Sequence, residues 1–465
     1  MKNPKFKKIL SILLYSLPVL FFILCYFAII TSGEDIFQGA HTSPNILSDA
    51  LAAFNHSARL ADMFAWAVIN FFDYSFSFGP DLFFRLLDVV AAFSAFYLAT
   101  SVALRRRPRL DLKDALTFNA LFLLVMLTSN GPTIYSGFSK IHNYLFISFF
   151  TFVFFLVELR ALLGKPLPKG KLFALGMFIL GFLFGLASNV AAIVFLLSLV
   201  AYALYLKLRR RPLNLKSFFL SFQGSSLLGI LLALFLIYVV GPGLADYETS
   251  EAYLIVCDYL PLSSLLENPL PSLLRVVKHN LYNFGKFFLP FLVSALPEGF
   301  YFLSLKLKNR LVLPKFPPKE IDFLVASALF VVLHLLCLSQ IYYPTRLMFP
   351  IYLLAAALFL FVSWRFLSAQ KRFQEKTFLA PLSALFVALS VLIFALRAYF
   401  AYGYLKKVLP VLETIKSSPE SSLCVEESVA HADFLPYLHL NQEDFLVDWA
   451  LPQTIYDKSV TFCEQ

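Results

Sequence analysis

Two adjacent carboxylates, Glu34 and Asp35, stand where the first apolar run of the chain gives way to polar sequence. An ionised carboxylate at such a boundary can take a proton from a hydroxyl, and cations beside it can hold a departing phosphate. Candidate cations recur in segments expected on the same side of a membrane: Arg59, Lys140, His142, Lys278, His279 and Arg346, with Arg397 near the end of the last apolar run. Arg346 has the most defined setting. Tyr342-Tyr343-Pro344-Thr345 leads into it, so a proline-stiffened turn sets its guanidinium close to a helix start, where it suits a bidentate grip on an anion. Lys278 or Arg397, taken singly, is better explained as a side chain reaching for lipid headgroups.

The acidic pair and Arg59 need an element to hold them over one cavity. From 46 to 72 the chain can form a helix, in which Asp49, Asn55, His56, Arg59 and Asp62 fall within an arc of about 140°. Ala52, Met63 and Trp66 interrupt that arc. We read the segment as a helix lying on the membrane surface.

Composition sets the class. Of 465 residues, 59% are hydrophobic, 15% are charged and 54 are phenylalanine. A compact soluble core needs far less apolar surface, whereas a bundle of membrane helices needs this much. The net charge of +10 comes from 39 Lys and Arg against 29 Asp and Glu. That excess falls in short loops between apolar runs, the arrangement that orients a chain in a membrane, so no nucleic-acid partner is expected. There is no nucleotide-binding glycine loop, zinc spacing or serine elbow to support nucleotide-driven or hydrolase chemistry.

With spans of roughly 20 residues, about eleven transmembrane helices are expected, in an all-α bundle: 9–30, 81–104, 115–129, 143–163, two short spans within 172–206 divided at Ser188-Asn189, then 217–240, 280–305, 321–341, 347–367 and 378–404. Lys2, Lys5, Lys7 and Lys8 precede the first span, and Arg105-Arg106-Arg107-Pro108-Arg109 closes the second. These clusters predict an N-terminus inside and a C-terminus outside. The chain thus divides into a transmembrane domain, 1–404, whose first outer loop is 31–80, and a small outer C-terminal region, 405–465. Cys25, Cys257 and Cys337 read as small buried apolar residues. Cys424 and Cys463 fall in the polar tail, where an oxidising compartment would let them close a loop of about 40 residues.

The order of these features resembles the GT-C class of integral membrane glycosyltransferases, and more closely an uncharacterised bacterial family distantly related to the O-antigen glucosyltransferases. The matching residues are Glu34-Asp35 after the first span, Ser57-Ala58-Arg59 on the following helix, Asn143-Tyr144, Pro242-Gly243 and Pro344-Thr345-Arg346. The chain departs from that pattern in having Glu-Asp for the commoner Asp-Asp and Ser-Ala for Asn-Gly. The resemblance implies transfer of a sugar from a polyprenyl-phosphate donor on the outer face of a bacterial cytoplasmic membrane. Asp35 holds the second acidic position of the motif and would be the base. Glu34 would orient it, cap the next helix or share a divalent cation such as Mg or Mn. Arg59, Arg346, Lys140, His142, Lys278, His56 and Tyr343 are the expected substrate-binding residues. A transporter or flippase of lipid-linked sugars and a glycan polymerase or ligase are the competing expectations.

Overall fold

The computed structural model describes residues 4–27, 81–126, 153, 170–187, 189–209, 222–240, 267–337, 345–370, 375–420, 422–426, 454–455 and 458–463. Ten α-helices occupy them: α1 Pro4–Phe27, α2 Asp81–Leu104, α3 Leu112–Met126, α4 Lys171–Ala187, α5 Asn189–Leu208, α6 Phe222–Phe235, α7 Pro269–Leu307, α8 Pro318–Cys337, α9 Thr345–Ala369 and α10 Glu375–Ser417. A π-helical turn, Leu236–Val240, continues α6. Each helix falls on one of the expected apolar runs. The surface helix at 46–72 and, apart from residue 153, the fourth run lie outside the described residues. Among the described residues, five helical segments are long and apolar enough to cross a membrane: Lys5–Cys25, Pro269–Leu307, Pro318–Cys337, Phe349–Ala369 and Pro381–Tyr399. The chain is therefore a helical membrane protein.

The division at Ser188-Asn189 is present as a break. Lys171–Leu186 and Ala191–Ala201 meet at 119°. Helix α4 then packs most closely on α6, through small residues. A Cβ at Gly181 would overlap the Ser226 carbonyl, one at Gly229 would overlap the Phe178 carbonyl, and one at Gly185 would meet the Ala233 Cβ at 2.5 Å. Gly181 and Gly185 are four residues apart, as are Gly229 and Ala233. Small residues at that spacing let two membrane helices approach backbone to backbone.

The centre of the bundle is an aromatic ladder. Helix α2 offers Ala92, Ala95 and Ala99, all fully buried, and into that low-relief face fit Phe22 of α1 and Phe118 and Phe122 of α3 around Phe96. The rings of Phe21 and Phe22 meet that of Phe122 edge-on at 5.2 and 5.9 Å, and Phe22 tilts over Phe96 at 5.5 Å. Edge-to-face contacts of this kind add to the area they bury. Helix α9 is buried on several sides, from Phe349 through Ala357, and its Tyr352 stacks on Phe291 of α7 at 4.8 Å. Helix α7 shows the opposite character, since Leu281, Leu289, Leu292 and Phe300 are all well exposed. In a membrane protein an apolar face of that kind meets lipid.

Contacts near the termini give the helix directions. Leu10 and Leu14 of α1, Leu112 and Leu116 of α3 and Leu379 of α10 form one cluster. Arg397 lies beside Cys25 towards the other end of α1. Helices α1 and α10 are thus parallel neighbours. The end of α2, the start of α8 and the end of α9 meet through Arg105, Glu320 and Arg365. Among the described residues, the basic end of α2 therefore meets the start of α8 and the end of α9 at one end of the bundle.

Two boundaries differ from expectation. Helix α10 runs on to Ser417 rather than ending near Tyr404, so the C-terminal region opens with helix. Helix α7 begins at Pro269, well before 280. With 39 and 43 residues, these helices are about 58 and 65 Å long, roughly twice a hydrocarbon core. Neither excess is predictable from an apolar run, because the extra turns carry charged residues, Arg275 and Lys278 in α7 and Lys406, Lys407, Glu413 and Lys416 in α10. After α10 come three strands, β1 Ser422–Glu426, β2 Thr454–Ile455 and β3 Lys458–Cys463, in the order β1-β3-β2. They are a small addition to what is otherwise helix among the described residues. Strand β3 pairs parallel to β1, with Cys424 opposite Thr461 and Cys463 opposite Glu426. The two tail cysteines thus stand diagonally on neighbouring strands. Cys25 is buried as expected, but Cys337, at the last turn of α8, is exposed.

Candidate functional site

The most densely charged region among the described residues lies at the basic-loop end, and it starts from how α2 stops. Arg105, the residue after α2, has φ 57°, the left-handed conformation that commonly ends a helix and that usually calls for glycine. The turn carries the Arg105 guanidinium to Glu320 and over the Phe361 ring, 5.0 Å from its centroid. Glu320, in the first turn of α8 and 4% exposed, also receives Arg365 of α9 at 2.5 Å. One carboxylate therefore sits between two guanidinium groups. Burial and the nearby Arg365 charge both lower the Arg105 pKa.

Beside this triad the basic loop folds over the start of α3. Arg106 grips Asp114 with two hydrogen bonds, of 2.5 and 2.7 Å, while the Arg109 main-chain N–H donates to the same carboxylate at 2.7 Å. Asp111 accepts from the Asp114 N–H at 3.0 Å, as an N-terminal cap does. Burial holds the Asp114 carboxyl above the usual range, against the pull of Arg106 and the Arg109 N–H, and the Asp114 hydrogen bond raises Arg106. Tyr15 of α1 donates to the Arg109 carbonyl at 3.0 Å. The loop after α7 is fastened in a similar way. Gln370 accepts from the Val312 N–H at 3.1 Å and donates to its carbonyl at 2.8 Å. Chemically this region is a clamp. Its charges are paired or capped, and it locks the ends of α2, α3, α7, α8 and α9 together.

Sequence reasoning treated these arginines only as markers of orientation. Their partners could have been suspected, because Asp114 and Glu320 are acidic residues at the starts of apolar runs, where an anion favours a helix N-terminus. Which arginine each would meet depends on helices far apart in the chain.

The opposite end is where the group-transfer residues were expected. Glu34, Asp35, His56, Arg59, Lys140, His142 and Tyr343 lie outside the described residues. Arg346 is the second residue of α9, a helix whose Arg365 is at the clamp, so Arg346 stands at the far end of the bundle. Lys278 is exposed on α7, early in a helix that also runs towards the clamp, and its neighbour His279 is buried. Arg397 is 4% exposed. Helix α1 finishes at this same end, and Glu34 and Asp35 follow Phe27 by seven and eight residues. Among the described residues no three His, Cys, Asp or Glu side chains gather as a metal site would require. No protein-family model, curated protein or solved structure matches the chain.

Proposed function

We propose that this protein is a membrane glycosyltransferase that moves a sugar from a polyprenyl-phosphate donor to a glycan, lipid or protein of the cell envelope. In this reading eleven spans cross a bacterial cytoplasmic membrane, with the N-terminus inside and the C-terminus outside. Asp35 takes the acceptor proton, Glu34 supports it, and Arg346 and Arg59 hold the donor phosphate. The observation that supports the reading is that α1 leads towards the acidic pair at the end of the bundle where Arg346 begins α9, away from the basic loops.

A transporter of lipid-linked sugars is the second reading. It is favoured by the buried ionisable groups Asp322, His334 and Arg397, since charges inside a membrane bundle commonly mark a pathway. One experiment separates the two. Purified protein in vesicles is given labelled polyprenyl-phosphate sugars, and both sugar transfer and movement of the lipid between leaflets are followed. Transfer that disappears in Asp35→Asn supports the enzyme, whereas leaflet exchange without transfer supports the transporter.

A further inference from the structure

Helix α8 carries a seam that a dry contact between membrane helices does not need. Its buried residues Glu320, Phe323, Ser327, Phe330 and His334 recur at alternating spacings of three and four, so they share one stripe. The phenylalanines alternate with a carboxylate, a hydroxyl and an imidazole, each of these three seven residues from the next. Those polar residues are 4%, 0% and 3% exposed. Glu320 Oε2, Ser327 Oγ and His334 Nδ1 are all buried without a hydrogen-bond partner among the described residues. A helical serine has a ready alternative in the carbonyl four residues back. Thr100, Ser101, Thr117 and Ser383 each take it, but Ser327 does not.

Successive polar positions are about 10 Å apart along the axis, too far for direct contact but a distance that a short file of water can bridge. The stripe is about 21 Å long against a hydrocarbon thickness of about 30 Å. It begins at Glu320, where Arg105 and Arg365 converge, and Asp322 is the next charged group along α8. Phe330 closes its far half, edge-on to Phe195 of α5 at 6.3 Å and to His334 at 5.6 Å. We propose that this seam is a water-binding lane that brings solvent from the basic-loop end of the bundle to the His334 imidazole.

The test is hydroxyl-radical footprinting of the full chain by X-ray radiolysis, which oxidises side chains next to bound water, read by mass spectrometry. His334 should be oxidised about fivefold or more faster than the equally buried Phe96 and Phe122. Ser327→Val, which removes the middle polar group, should lower His334 oxidation at least about threefold while leaving exposed Tyr399 unchanged. Ser327→Ala serves the same purpose if the valine variant does not assemble. Oxidation of His334 no faster than that of Phe96, or unchanged oxidation in the Ser327 variants, overturns the lane.

Discussion

Asn119 of α3 donates its side-chain amide to the main-chain carbonyl of Leu14 in α1, 3.1 Å away, and that carbonyl is the one Pro18 leaves without a helical donor. Proline has no N–H for the residue four positions back, and in a membrane another group must supply it. Asn119 does so while its own carbonyl oxygen accepts from Ser390 of α10 at 3.1 Å. One buried amide thereby ties three helices. Asn119→Ala should cost about 1 to 2 kcal/mol of stability in detergent. In a Pro18→Ala background the restored N–H takes over the Leu14 carbonyl, so the same substitution should cost clearly less. Equal costs in the two backgrounds would show that the proline is not what Asn119 repairs.

Glu320→Gln leaves Arg105 and Arg365 facing each other without a counter-charge. Breaking a fully buried pair costs roughly 3 to 5 kcal/mol. These guanidinium side chains are 24% and 32% exposed, so solvent screening brings the expected loss to about 2 kcal/mol. Thermal unfolding at low and high salt checks it. The deficit should shrink as salt rises, because the repulsion is then screened.

Crowding at the α4–α6 contact sets opposite expectations for two kinds of glycine. Gly181→Leu and Gly229→Val both drive a side chain into backbone and should destabilise by about 1 to 3 kcal/mol. At Gly285 of α7 an added methyl group would have no neighbour within 4 Å, so Gly285→Ala should stabilise by about 0.5 to 1 kcal/mol through helix propensity. Melting curves that fail to separate the two groups would contradict the close approach.

Reporter fusions test the membrane arrangement directly. Lys376 and Ser417 lie at opposite ends of α10, which is long enough to cross with many residues to spare. A cytoplasmic reporter should be active at Lys376 and an extracytoplasmic one at Ser417. The same compartment at both positions would break the proposed topology.

Arg346→Ala should weaken binding of a polyprenyl-phosphate sugar by about 2 to 5 kcal/mol, the usual cost of removing one member of a desolvated charged contact. Arg346→Lys should recover only part of this, since the planar fork is lost. Expression and melting temperature should stay near wild type. Unchanged donor affinity in Arg346→Ala would assign that side chain to lipid headgroups.

Much of the architecture could be read without coordinates, because it follows from local physics. An apolar run of about 20 residues must span or be buried, whatever surrounds it. The second helix, Asp81–Leu104, and the break between the helices ending at Ala187 and starting at Asn189 sit where the runs and polar punctuation put them. Basic residues likewise marked the ends of α2 and α9, which meet at Glu320. What the sequence could not disclose is partnership between distant residues. Asn119 looked like an ordinary polar residue in a short span until the fold brought it to Leu14 and Ser390. Arg105 read as one of a cluster of basic markers, and only the packing of α8 and α9 delivered Glu320 to it. Likewise Glu320, Ser327 and His334 are seven residues apart in any reading, but whether that face meets lipid or protein is decided by α5, α7 and α9. Hydropathy selects the helices, whereas which face of each is buried, and beside which polar atom, is a property of the assembled bundle.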